Sequence, residues 1–311
     1  MIERHFLLDE ADPTLFYGVG NANLRMLRSL QPKVRLVARG DVVKVLGDEA
    51  DVARFETLFD QLKAHCIRYN ALNEEDILAT VRGLKPHDDG GTAIVYSTTG
   101  KPITPRTAGQ RRIVEAFESH DLLFAIGPAG TGKTYVAIAL AVRALKQKEV
   151  RRIILSRPAV EAGEKLGFLP GDMKDKVDPY LQPLYDALGE MIPALKLQEY
   201  METGVIQIAP LAFMRGRTLS DAVVILDEAQ NTTRAQLRMF LTRLGHGTKM
   251  IVTGDVTQID LPAVGRSGLV EAKHILGNID EIAFVQLNET DIVRHRLVTR
   301  IVNAYEAVGQ D

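Results

Sequence analysis

The chain has 311 residues, 46% of them hydrophobic, and 38 Lys+Arg against 40 Asp+Glu give a formal net charge of -2. That balance excludes wholesale disorder, and it excludes a protein that coats nucleic acid by bulk charge, so any such contact needs a local patch. The single cysteine, Cys66, excludes an internal disulfide or a thiolate metal cluster. No apolar run nears the ~18–20 residues of a membrane span, and the acidic N-terminus lacks a signal-peptide layout, so the expected location is the cytoplasm.

Taken in chain order, Leu24, Leu27 and Leu30 at helical spacing predict a helix over 21–30, with Asn21 or Asn23 as its cap. Residues 34–39 and 42–47 alternate around Gly40-Asp41, a two-residue hairpin signal. The stripe Val52, Phe55, Leu58, Phe59 and Leu62 predicts a helix from Asp48, and another runs from about Glu74 to Val81. Residues 1–84 therefore read as a small α/β module. Turn chemistry at Asp88-Asp89-Gly90-Gly91, then Pro102 and Pro105, marks 85–105 as a structured linker with a short strand at 93–96. From 106 to 311, apolar runs at 122–126, 152–156, 205–209, 222–226, 250–254 and 282–287 alternate with amphipathic helices. Strands apolar on both faces predict an α/β fold with a doubly wound, mostly parallel sheet, and ligands at the strands' carboxyl ends.

Gly127-Pro128-Ala129-Gly130-Thr131-Gly132-Lys133-Thr134 fits G-x-x-x-x-G-K-[ST] and lies between the 122–126 run and an apolar helix. Glycines let successive N–H groups cradle phosphates, Lys133 adds a cation for the β/γ-phosphates, and the Thr134 hydroxyl can ligate Mg²⁺. The apolar run 222–226 ends in Asp227-Glu228. Asp227 is expected to hold Mg²⁺ and Glu228 to activate the attacking water, which favours hydrolysis of ATP over transfer to a metabolite. After the 250–254 run, Gln258 stands where a neutral side chain could reach a γ-phosphate or that water. Arg143, Lys146, Lys148, Arg151 and Arg152 gather at one helix end, where cations complement the helix dipole.

Gln110, GPAGTGKT, DEAQN and GDVTQ in this order resemble the first RecA-like lobe of a superfamily 1 helicase. More closely, residues 155–188, PLAFMRGRTL, ILDEAQN and GDVTQIDLP resemble the PhoH-like family of ATP-binding proteins, over about residues 101–307. The resemblance implies a P-loop NTPase fold of RecA-like type, ATP binding, a cytoplasmic location and an association with RNA metabolism. It also implies that Gln110 contacts adenine and that Arg215 and Arg217 lie near the nucleotide or a strand groove. The chain departs from the family pattern at Ile113, where an aromatic residue is usual, and at Arg296, where proline is usual. The N-terminal module resembles the KH-like domain that precedes the ATPase in this family. Where a nucleic-acid-gripping KH domain has a G-x-x-G loop between helices, this chain offers Gly18-Val19-Gly20-Asn21-Ala22-Asn23 ahead of the first helix, with Arg25, Arg28, Lys33, Arg35 and Arg39 nearby.

About fifty residues follow GDVTQ, short of a second RecA-like lobe. The expected arginine therefore comes from a neighbouring subunit, with Arg294 or Arg296 reaching its ATP in a homo-oligomer, a hexameric ring above all. The expected function is a Mg²⁺-dependent ATPase coupled to RNA handling, unwinding included. The alternative is a nucleotide-gated RNA-binding or adaptor protein for a ribonuclease or ribosome, with little turnover.

Overall fold

Apolar side chains from strands and helices together build two separate cores along the chain. The computed structural model describes residues 1–84, 93–158, 173–261, 267–293 and 297–298, with only the backbone over 173–180. Contacts divide the chain into two compact units, 1–104 with 188–200, and 105–187 with 201–311. Among the described residues no helix is long and apolar enough to cross a membrane.

In the first unit, β1 (Ile2–Leu7), β2 (Arg35–Arg39) and β3 (Val42–Gly47) form an antiparallel sheet in the order β1-β3-β2. Arg39 pairs with Val42 across Gly40-Asp41, and the positive φ of Gly40 (60°) closes that tight turn. Between β1 and β2 lie α1 (Pro13–Tyr17), capped by the Asp12 carboxylate, and α2 (Ala22–Leu30). The apolar stripe of α3 (Glu49–Tyr69) packs on one face of the sheet, where Phe59 meets Phe6 and Phe16 with ring centroids 5.3 Å apart. Strand β1 and helix α1 are absent from the elements expected above; Arg4 and His5 mask the strand's alternation, and α1 is too short to show a period.

Helix α4 (Glu74–Val81) begins with a reciprocal cap between Asn73 and Asp76. The buried Asp76 carboxylate also faces the buried His65 of α3 at 3.3 Å. Asn70 ends α3 in the left-handed region (φ 49°) and donates to the carbonyls of Tyr96 and Met191. It thereby ties the hairpin β4 (Val95–Tyr96) and β5 (Pro102–Ile103), and residue 191, into this unit. Burial pushes the His65 imidazole below its ordinary range, and the Asp76 charge opposes this only in part. A histidine neutral in the fold binds a proton on unfolding once the pH falls below about 6.5, so its contribution to stability is full above that pH and lost below it. The urea midpoint is thus expected to fall between about pH 7.5 and 5.5, and by less in His65→Gln. Equal falls in both proteins would remove His65 from the effect.

The second unit is built on six parallel strands in the order β11-β6-β10-β9-β7-β8. These are β6 (Leu122–Ile126), β7 (Arg152–Arg157), β8 (Ile206–Pro210), β9 (Ala222–Leu226), β10 (Lys249–Gly254) and β11 (Ile282–Gln286). Every residue of β6 and β9 is buried, as a sheet covered on both faces requires. One face carries α5 (Ala108–Ser119) and α6 (Lys133–Lys146). In α6 the small Ala137, Ala139, Ala141 and Ala144 are all buried, letting the helix lie close to the strands. The opposite face is covered by α9 (Arg234–Leu241) and α10 (Gly268–Leu276) around Phe240 and Leu269. Between β7 and β8 run α7 (Met173–Met191) and α8 (Ala194–Glu202), of which 188–200 count with the first unit. The strand order sets β6 between β10 and β11, and β9 between β10 and β7. The ends of β6, β9, β10 and β7 therefore converge on one edge, where such sheets bind ligands.

Candidate functional site

The phosphate loop leaves β6 at Ile126 and enters α6 at Lys133. At Gly127 a Cβ would come within 2.7 Å of the Leu287 backbone carbonyl oxygen, so only glycine lets the loop pass β11's exit. Gly130 (φ 83°) and Gly132 (φ 76°) take left-handed turns that a residue with a side chain would resist. The Lys133 ammonium donates to the carbonyls of Gly127 at 2.7 Å and Pro128 at 2.8 Å, lying across the mouth of its own loop. Two more loop carbonyls are held from outside: Gly130 by the Val293 N–H at 2.9 Å, Thr131 by the Gln110 carboxamide at 2.9 Å.

The Val293 contact is secured by Asp291, whose carboxylate accepts from the Gly109 N–H at the start of α5 and from the Asn288 N–H. Burial would raise the Asp291 carboxyl, but these amides, the Thr107 hydroxyl and the Arg112 charge together hold it below the usual carboxylate range.

Strand β9 delivers the acidic pair. Asp227 follows the strand directly, is buried, and accepts at Oδ1 from the Thr134 hydroxyl at 2.6 Å and the Thr253 hydroxyl at 2.7 Å. Glu228 turns into the left-handed region (φ 53°), a costly conformation for a residue with a side chain, and this brings its carboxylate into the same cavity. Both of its oxygens are engaged: the Arg157 guanidinium reaches Oε1 at 2.7 Å and the Gln230 carboxamide reaches Oε2 at 2.5 Å. Arg157 also lies 3.7 Å from the second Asp227 oxygen.

The resulting cavity, of about 290 Å³, is lined by Ala129, Gly130, Gly132, Lys133, Thr134 and Tyr135 on one side. Asp227, Glu228, Gly254, Asp255 and Gln258 line the other. One hydroxyl and one carboxylate side by side suit Mg²⁺, which takes few protein oxygens and completes its shell with phosphates and water. Among the described residues there is no cluster of three or more His, Cys, Asp or Glu that could hold a metal otherwise.

Of the residues singled out from sequence, Lys133, Thr134, Asp227, Glu228 and Gln258 thus meet at one cavity. Gln110 lies against the loop, its oxygen accepting from the Arg106 N–H and its nitrogen on Thr131. Ile113 is fully buried in α5. Arg215 is exposed, and Arg217 donates to the Gln207 carboxamide at 2.8 Å; neither lines the cavity. Arg294 and Arg296 fall outside the described residues. Sequence reasoning passed over Arg157 and Asp255, although both carry a charge just at or after the end of a buried strand, the signal that picked out Asp227.

A parallel sheet with this loop at its carboxyl edge defines a nucleotide-binding protein of the P-loop ATPase type. The family model described as PhoH-like protein matches residues 102–306, and the chain belongs to that family. It is 50% identical over 279 residues to a PhoH-like protein of Bacillus subtilis, covering 88% of each chain. It is 51% identical over 294 residues to one of Mycobacterium tuberculosis, covering 93% of this chain and 83% of the relative. Among solved structures, the Pif1 helicase of Candida albicans aligns with a TM-score of 0.34 at 13% identity, over 65% of this chain and 43% of that one.

Proposed function

We propose that the chain is a Mg²⁺-dependent ATP hydrolase of the cytoplasm, converting ATP and water to ADP and phosphate in the service of RNA handling. The observation that carries the reading is the 2.6 Å bond between Thr134 of the phosphate loop and Asp227, with Glu228 opening on the same cavity. In this reading the loop amides and Lys133 bind the phosphates, Thr134 and Asp227 hold Mg²⁺, and Gln258 orients the outermost phosphate or the water. The metal would offset the charge of the phosphate oxygens. Glu228 takes the water's proton once Arg157 and Gln230 release it. RNA contact is supported by Phe213, 60% exposed beyond β8, with Arg215 and Arg238 exposed on the same unit, since a stacking ring among cations suits a single strand. The strand and helix order of the first unit supports a KH-like reading, with Gly18, Gly20 and Asn21 all at positive φ between α1 and α2. We place the remaining cation, Arg294 or Arg296, in a neighbouring subunit of a hexameric ring.

A second reading, a nucleotide-gated adaptor for a ribonuclease or ribosome, is favoured by one observation: both Glu228 oxygens are already occupied. ATP turnover with and without single-stranded RNA, for the wild type and Glu228→Gln, separates the two. RNA-stimulated turnover that drops about 100-fold or more in the variant, with ATP binding kept, is the expected result. Tight ATP binding without turnover in the wild type would favour the adaptor, and label transfer to a metabolite would sink both.

A further inference from the structure

Asp255 follows β10 and is 4% exposed. Its Oδ2 accepts from the Ala129 N–H at 2.9 Å, while Oδ1 accepts from the Thr257 N–H at 2.9 Å and its hydroxyl at 2.7 Å. A carboxylate therefore sits on an amide of the phosphate loop, inside the cavity that Lys133, Thr134 and Glu228 line. An anion on such an amide does there what a phosphate oxygen would do: it satisfies the N–H and brings negative charge.

The backbone of the same residue reaches in the other direction. Its N–H donates to the Gln230 side-chain oxygen at 3.0 Å, and the Gln230 nitrogen donates to Glu228. Three hydrogen bonds thus run without a gap from Ala129 through Asp255 and Gln230 to Glu228. Ala129 stands four residues before Lys133, ahead of the start of α6, and its amide meets across the cavity the wall that Asp255 shares with Gln258 and Glu228.

We infer that Asp255 is a positioning residue that keeps the seat of the outermost phosphate. A third phosphate displaces its carboxylate from Ala129, and the shift passes through Gln230 to Glu228. A diphosphate, held by the inner amides, leaves Asp255 on Ala129 and Glu228 in its resting bonds. Discrimination between tri- and diphosphate thereby falls to one side chain, and release of Glu228 is tied to it. The inference rests on the reading of this cavity as an ATP site.

The test is binding of a non-hydrolysable ATP analogue and of ADP, each with Mg²⁺, to the full chain and to Asp255→Asn. The amide keeps the shape and an oxygen for Ala129 but removes the charge. The expected result is about tenfold tighter binding of the analogue with ADP affinity unchanged, because only the third phosphate meets the lost charge. Should Asp255→Asn fail to fold, Asp255→Ser carries the same expectation. Equal effects on both nucleotides, or on neither, overturn the inference while leaving the ATP site standing; a wild type that binds neither nucleotide overturns both. For the link to Glu228, Gln230→Ala removes a bond that holds Glu228 at rest and is expected to raise kcat about threefold at unchanged KM, with analogue binding as the check on its fold. An unchanged kcat would break the relay.

Discussion

Replacing Lys133 with alanine is expected to weaken ATP binding by about 100-fold or more, the largest loss that any single substitution in this site should cause. Lys133 is 8% exposed, and its ammonium rests on the Gly127 and Pro128 carbonyls at 2.7 and 2.8 Å. It is therefore already in place, and nucleotide binding needs only an exchange of carbonyl for phosphate oxygens. Two or three charge-assisted hydrogen bonds of about 1.5–3 kcal/mol each are at stake, less what water returns. Arginine should not restore binding, because its planar fork is larger and cannot nest between two loop carbonyls that face a point charge. Calorimetric titration with ATP and Mg²⁺ reads this directly. Affinity within about threefold of the wild type would put the nucleotide elsewhere on the protein.

The second large effect is expected at Asp227. In Asp227→Asn, the amide oxygen can still accept from Thr134 and Thr253, so the fold should hold. Its nitrogen would then face the Arg157 guanidinium, now 3.7 Å from a carboxylate oxygen, and the charge that suits Mg²⁺ would be gone. Turnover should fall by about two to three orders of magnitude, and the Mg²⁺ concentration for half-maximal turnover should rise. Titrating Mg²⁺ at fixed ATP distinguishes this from damage to ATP binding, which would leave the Mg²⁺ midpoint where it was. An unchanged midpoint would remove Asp227 from the metal.

The central strands β6 and β9 of the second unit are legible from sequence because both of their faces are buried, which leaves the uninterrupted apolar runs LLFAI and AVVIL. The phosphate loop is legible because its glycines answer local demands, the positive φ of Gly130 and Gly132 above all. Helix α5 is harder to see. Gln110, Arg111, Arg112 and Glu115 surround the buried Ile113 and Phe117, so its apolar stripe is thin. The placing of 188–200 with the first unit rests on contacts such as Asn70 with the Met191 carbonyl, across 121 positions of sequence, which no local pattern announces. Arg157 and Asp255 escaped for a related reason. Their roles depend on β7 lying beside β9, and on β10 lying between β9 and β6, and neighbourhood in a sheet is not written in the order of the strands.

The outward ties on the Gly130 and Thr131 carbonyls have a thermodynamic consequence. Pinning those oxygens fixes the peptide planes they belong to, so the N–H groups of Thr131 and Gly132 are oriented before any phosphate arrives. A glycine-rich loop free in water would lose about 1–2 kcal/mol per residue on becoming ordered, and that loss would weaken every encounter with a ligand. Here most of the ordering is completed during folding, through Gln110 on one side and the Asp291–Val293 segment on the other. The flexibility that glycine brings is used to reach the shape and is then withdrawn, so affinity at this edge of the sheet is partly a property of helix α5 and of the chain beyond β11, which flank the loop.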